Sequence, residues 1–292
     1  MSASRPPARR SLIAVAAVMS VMALASCGSG GAGGGNTAAA TDNPYGLQQA
    51  GTLRVGTLTD APPNVYLKDG KFTGFDNDLL SAVASKLNLK VEFVGTDFSA
   101  LLAQVKNKKF DLGSSSITIT DARKKTVAFT NGYDFGYFGL DVPAGSDIKT
   151  FDQLKGKRVT VVQGTVQDDY ATKLGLNPIR VPDYNGALNQ LKVGTAQAWV
   201  APAEIGEKSA KESGGKILLA AKQISSAPTA FATAQDNPAF LKALNTALDA
   251  VIKDGTWTKL QDQYYPGRPI PTSFKPGSGS VVFTPLKAGT AS

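Results

Sequence analysis

FDLGSSSITITDARKK, residues 110–125, contains the change of period around which the rest of the chain can be organised. Residues 110–112 read as a short buried strand. Ile117 and Ile119 then alternate with Thr118 and Thr120, a two-residue period that puts the isoleucines on one strand face and the threonines on the other. Thr120 followed by Asp121 has the form of a helix N-cap and first turn. Arg123 therefore falls near the positive end of a helix dipole, where a cation is disfavoured by roughly 0.3 to 1 kcal/mol. A nearby anion reverses that sign. The threonine-rich strand end, the helix N-terminus and a fork-shaped guanidinium together point to a bound carboxylate, although Arg123-Lys124-Lys125 also reads as a solvated basic turn.

Upstream of this stretch, residues 52–57 (TLRVGT) predict a strand. Residues 75–87 (FDNDLLSAVASKL) predict a helix with Leu79, Leu80, Val83, Ala84 and Leu87 on one face. Residues 90–94 (KVEFV) are the next strand, and residues 98–106 a helix with Leu101, Leu102 and Val105 inward. This β-α-β-α-β alternation implies an open α/β sheet. Downstream, residues 134–142 (DFGYFGLDV) are strand-like and aromatic until Pro143-Ala144-Gly145 breaks them. A second α/β run follows. It has strands at 157–162, 179–181, 197–200 (QAWV) and 216–219, and helices from Thr165 through Leu174, at 186–192, and from Pro202 through Glu204 to Ser213. Residues 229–234 form a last strand and residues 238–253 and 256–265 two last helices; from Pro266 onward the Pro, Gly and Ser content predicts a loosely ordered tail.

The 292 residues have the apolar and charged fractions of a soluble globular protein. The N-terminus is different. Arg5, Arg9 and Arg10 precede an uncharged apolar run, residues 12–25, of signal-peptide length. The run ends in Leu24-Ala25-Ser26-Cys27, which resembles the lipobox of bacterial lipoproteins, whose cysteine is acylated and becomes the new N-terminus. After Cys27 comes a Gly/Ala/Thr-rich segment that predicts a flexible tether. Removing residues 1–26 deletes three arginines and no acid, which takes the formal charge from +8 to +5. No long basic run, RNA-binding aromatic signature or zinc spacing accompanies that mild excess, so nucleic-acid binding is not expected. With no histidine and one cysteine, Ser-His-Asp and Cys-His catalysis, His-bound metals and disulfides are excluded, and no cofactor or metal site is expected.

The order of these pieces resembles the polar amino-acid family of solute-binding proteins that serve ABC importers. The matching stretches are GTLRVGTLTDAPP, GKFTGFDNDLL, KKFDLGSSSITITDARKKTVAFT, FDQLKGKRVTVVQGT and DGTWTKLQDQYYPG. The resemblance implies a periplasmic-binding-protein-like fold: two α/β lobes joined by a two-strand hinge, with crossings near Val142-Pro143 and Ala227-Pro228. The expected organisation is a signal peptide (1–26), a lipidated Cys27 with its tether (27–50), lobe 1 (51–142 and 228–266), lobe 2 (143–227) and a tail (267–292).

By the same resemblance, Arg123 grips the ligand α-carboxylate, Thr118 hydrogen-bonds it and Ser116 turns its backbone toward it. Phe98 stacks on the ligand side chain, Asp60 helps to select its far end, and backbone N–H groups of Gly164 and Thr165 close on the carboxylate from the second lobe. One departure stands out. The family places an aspartate just after the QAWV-like strand to pair with the ligand ammonium, and here Pro202 stands there, with Glu204 the nearest acid. Either Glu204 reaches the ammonium or the ligand lacks one, because an unpaired buried charge costs several kcal/mol. The function implied is a monomeric, lipid-anchored receptor at the extracytoplasmic face of the cell membrane that captures a small carboxylate, in the first place a polar amino acid, for an ABC permease. The alternatives are an enzyme on the same scaffold, similar to cyclohexadienyl dehydratases, and a sensory lipoprotein without transport.

Overall fold

The computed structural model describes residues 43–225 and 227–277. The first α/β run contains β1 (Thr52–Thr57), β2 (Asp60–Ala61), β3 (Val65–Lys68), β4 (Lys71–Thr73), α1 (Phe75–Lys86), β5 (Lys90–Gly95), α2 (Phe98–Lys106), β6 (Leu112–Thr118), α3 (Asp121–Lys124) and β7 (Ala128–Phe129). The second contains β8 (Tyr137–Pro143), a 3-10 turn (Phe151–Leu154), β9 (Val159–Val162), α4 (Val166–Lys173), β10 (Ile179–Val181), α5 (Tyr184–Lys192), β11 (Ala198–Pro202), α6 (Ala203–Glu212) and β12 (Ile217–Ile224). The chain closes with β13 (Thr229–Thr233), α7 (Pro238–Lys253) and α8 (Thr256–Tyr264).

Two five-stranded sheets result, in the orders β5-β1-β6-β13-β7 and β10-β9-β11-β8-β12. In the first, β1 runs parallel to β5 and β6, while β13 returns antiparallel to β6 and β7. In the second, β9 runs parallel to β10 and β11, and β8 lies antiparallel between β11 and β12. All four residues of β9 (VTVV) are buried, as expected of a parallel strand covered on both faces. In α1, Leu79, Leu80, Val83 and Ala84 are fully buried against α7 residues that include Leu244 and Leu248. Each such leucine or valine contributes about 1.5 to 3 kcal/mol relative to exposure. The fold is the two-lobed α/β architecture expected.

The polar residues of β6 bind it to the first turn of α1. Ser114 donates to Asn77 Oδ1 at 3.1 Å, Ser115 Oγ accepts from the Leu58 N–H at 3.0 Å, and both the N–H and the hydroxyl of Ser116 donate to Asp76. This network explains why FDNDLL and SSSIT belong together. Gly74, ahead of α1, has φ +114°, and a Cβ there would lie 2.3 Å from the Asn64 carbonyl oxygen, so only glycine fits.

Four expectations need correction. The pieces at 110–112 and 117–120 are not separate strands: one strand, β6, runs from Leu112 to Thr118, and Thr120 is already the cap of α3. The first crossing is not at Val142-Pro143: all of β8 pairs within the second sheet, so the chain leaves the first lobe between Asp134, bridged to Thr229, and Tyr137. The aromatic run hid this, because strand and hinge share an extended backbone. Order also begins before residue 51. Asn43 hydrogen-bonds both backbone groups of Leu47, and Tyr45 packs 5.7 Å from the Phe240 ring. Finally, the start of the tail is docked: Phe274 is buried 5.0 Å from the Phe135 ring, and the Gly277 N–H donates to Gly132 at 2.8 Å. Residues 1–42, with the apolar run and Cys27, lie outside the described residues, as do residues 278–292.

Candidate functional site

A cavity lies between the two lobes, walled on one side by the C-terminal ends of β1 and β6 and on the other by the starts of α4 and α6. The charged side chains lining it are Arg123, Asp134 and Glu204. Of the eight ligand-binding residues expected, Phe98, Ser116, Thr118, Arg123, Thr165 and Glu204 line this cavity; Asp60 and Gly164 do not.

Arg123 is 9% exposed. Its helix is a single turn, with Thr120 Oγ1 accepting the Arg123 N–H at 3.2 Å, so the helix-dipole argument carries little weight here. The side chain matters instead. Nη1 donates to the Thr118 carbonyl at 2.8 Å, and Nη2 reaches the other lobe to donate to the Gly164 carbonyl at 3.0 Å. Two of five guanidinium donors are thereby used, leaving the rest for a ligand in the cavity. The guanidinium also sits 5.1 Å above the Phe98 ring centroid, so Phe98 supports the arginine while it lines the cavity. Burial lowers the Arg123 pKa to about 10, partly offset by the negative charge of Asp169. The group stays cationic at neutral pH.

The second-lobe wall differs from expectation in its donors. The Gly164 N–H donates to Asp168 Oδ2 at 3.0 Å, and the Thr165 hydroxyl donates to the Val162 carbonyl at 2.7 Å while accepting the Asp168 N–H. Neither residue has its donors free. In the next two residues, Val166 and Gln167, the first-turn N–H groups of α4 have no acceptor within the helix, and both line the cavity. Gly164 instead seals the lobes: a Cβ on it would stand 3.2 Å from Ser99 Cα. Asp60 has a similar part. It lies outside the cavity, where Oδ2 accepts the Asn185 N–H at the start of α5 across the cleft at 2.8 Å. Ser116 lines the cavity, but its N–H is committed to Asp76, whose pKa burial raises to about 7.

Glu204 is 7% exposed, in the first turn of α6. Burial raises its pKa to about 7, against the opposing charge of Arg268. Its Oε1 has no hydrogen-bond partner and lies 3.6 Å from Arg268 Nη1. The second acid, Asp134, escaped the sequence reading. It is 2% exposed, and its Oδ1 accepts from Arg268 Nη2 and from Gln261 Nε2 at 3.0 Å. Burial raises its pKa too, with Arg268 as the main opposing influence. A signal was present: an acid between Tyr133 and Phe135, inside an aromatic run, must be buried or break the strand pattern. Among the described residues no cluster of His, Cys, Asp or Glu could hold a metal ion. The arrangement places one buried cation, Arg123, and two buried acids, Asp134 and Glu204, on the wall of one cavity.

The family of bacterial extracellular solute-binding proteins, family 3, matches residues 53–267. A probable amino-acid-binding protein of Bacillus subtilis is 31% identical over 238 residues, spanning 78% of this chain and 89% of its own length. Among solved structures, an ancestral arginine-binding protein bound to arginine superposes with a TM-score of 0.71 at 32% identity, covering 74% of this chain and 98% of its own. An ancestral amino acid-binding protein described as a precursor of cyclohexadienyl dehydratase superposes with a TM-score of 0.67 at 31% identity, covering 74% and 96%.

Proposed function

The chain belongs to family 3 of the bacterial extracellular solute-binding proteins, and from that premise we propose that it captures one polar α-amino acid and delivers it to an ABC permease. The observation that carries this reading is the charge pattern of one cavity: one fork-shaped cation, Arg123, and two buried acids, Asp134 and Glu204. A carboxylate facing Arg123 gains charge-assisted hydrogen bonds. An ammonium facing Glu204 Oε1 supplies the donor that this buried oxygen otherwise lacks. Pro202 therefore does not remove the ammonium site. It moves the acid two residues along the chain, onto the first turn of α6. The names of the relatives support an amino acid as ligand. Leu24-Ala25-Ser26-Cys27 supports a lipid anchor at the extracytoplasmic face of the membrane.

Glu204→Gln tests the ammonium contact. Hydrogen bonds to charged groups contribute about 1.5 to 3 kcal/mol, so affinity for the bound amino acid should fall about 10- to 100-fold by calorimetry. Affinity for its 2-hydroxy analogue, which has no ammonium, should stay within a few fold. Equal changes for the two ligands would count against the assignment. The raised pKa of Glu204 also suits a second reading, in which it is a general acid acting on a cyclic carboxylate. Turnover of a prephenate-like compound would mark that case.

A further inference from the structure

We propose that Arg268, carried by the segment after α8, is a positioning residue that holds Glu204 as a carboxylate facing the cavity, ready for the ligand ammonium. This rests on the amino-acid reading above. The guanidinium of Arg268 is fixed from the first lobe and the crossing segment. Nη2 donates to Asp134 Oδ1 and, at 2.7 Å, to Gln261 Oε1, while Nη1 donates to the Phe135 carbonyl at 3.2 Å. The cation also stacks 3.7 Å from the Tyr265 ring centroid and 4.4 Å from that of Phe135. On the second-lobe side it faces Glu204 Oε1 at 3.6 Å.

These distances divide the work between the two acids. Asp134 Oδ1 is saturated by Arg268 and Gln261. Glu204 Oε1 receives the field of the same guanidinium from just beyond hydrogen-bond range, and it keeps its lone pairs for another donor. Two rigid aromatic rings and three hydrogen bonds prevent Arg268 from following Glu204 further, so the arginine lends charge without occupying the site. Beside Arg268, the Glu204 backbone N–H and Lys222 on β12 favour the charged form and Asp134 opposes it; burial opposes it most. Tyr265 stacks on the far side of Arg268 and interacts with Glu204 as well. Without Arg268, burial meets less opposition and Glu204 takes up its proton at a higher pH than in the parent. An ammonium gains nothing from a neutral acid.

The test is the affinity of the full chain for its amino acid between pH 5.5 and 8.5, in the parent and in Arg268→Gln, Arg268→Lys, Glu204→Gln and the Arg268→Gln/Glu204→Gln double variant. Parent affinity should decline as pH falls through the region of pH 7. In Arg268→Gln the decline should begin about one unit higher, a roughly fivefold loss at pH 7 that recovers toward pH 8.5. Arg268→Lys should keep the parent profile, and Arg268→Gln should add nothing in the Glu204→Gln background. A loss that is independent of pH, or that adds to the Glu204→Gln effect, would show a merely structural role and overturn the proposal. If Arg268→Gln does not fold, the lysine variant decides: a profile shifted by a unit or more, despite the retained charge, overturns it. Unchanged amino-acid affinity in Glu204→Gln sinks the underlying ammonium assignment. A weakened Glu204→Gln beside an unshifted Arg268→Gln removes only the role of Arg268.

Discussion

Arg123→Ala should raise the dissociation constant for the ligand about 30-fold to several thousand-fold, the equivalent of about 2 to 5 kcal/mol for truncating one partner of a buried, hydrogen-bonded charge pair. Among the described residues Arg123 supplies the one cation lining the cavity, so none of the other described lining residues can neutralise a buried carboxylate. It also ties the lobes together through its bond to the Gly164 carbonyl, so the loss should appear in the off-rate. Arg123→Lys keeps the charge but loses the fork, and cannot serve the Thr118 carbonyl, the Gly164 carbonyl and a carboxylate with one geometry. Its affinity should lie between the two. Titration calorimetry on the three proteins decides the matter, and an alanine variant that binds within a few fold of the parent would refute the carboxylate grip.

Stability should fall as pH rises from about 4 to 8, and Asp141→Asn should remove much of that slope. Asp141 is fully buried in β8, directly opposite Trp199 of β11, and neither carboxylate oxygen has a hydrogen-bond partner. It lies against α6 at Gly206, where a Cβ would stand 2.2 Å from Oδ2. Burial is the main cause that raises its pKa to about 8, with Glu207 adding to the rise. The unfolded chain releases this proton near the ordinary carboxyl pKa of 3.8, whereas the folded chain keeps it to about pH 8. The folded state thus binds more protons across that window, and stability is lost as pH increases through it. Four units at 1.36 kcal/mol each bound the effect on the order of 5 kcal/mol. Asp76, Asp134 and Glu204 are raised as well and act in the same direction. Urea unfolding at pH 4 and pH 8 should show Asp141→Asn near the parent at the lower pH and more stable at the higher. Parallel pH slopes in the two proteins would rule out Asp141 as the source.

Periodicity made the helices with wide apolar stripes legible, because Leu79, Leu80, Val83 and Ala84, or Leu244, Leu248 and Val251, can be buried in only one way. The strands β2 to β4, each of two to four residues, leave no such pattern. Arg123 was readable from the residues around it. Asp60 and Gly164 were placed in the site by resemblance alone, and their contacts depend on how the lobes meet: one accepts from Asn185, the other from Arg123. No local pattern encodes such contacts. Arg268 was hidden for a related reason. Pro and Gly around it suggest a loose tail, yet its order comes from Tyr265, Phe135 and Asp134, residues that meet only once both crossings are formed.

Calorimetric titration of the full chain with the twenty common amino acids tests the central claim most directly. Saturable one-to-one binding by at least one α-amino acid is the predicted result, together with thermal stabilisation of about 2.7 kcal/mol at 100 times the dissociation constant. Binding by none of them would contradict the account.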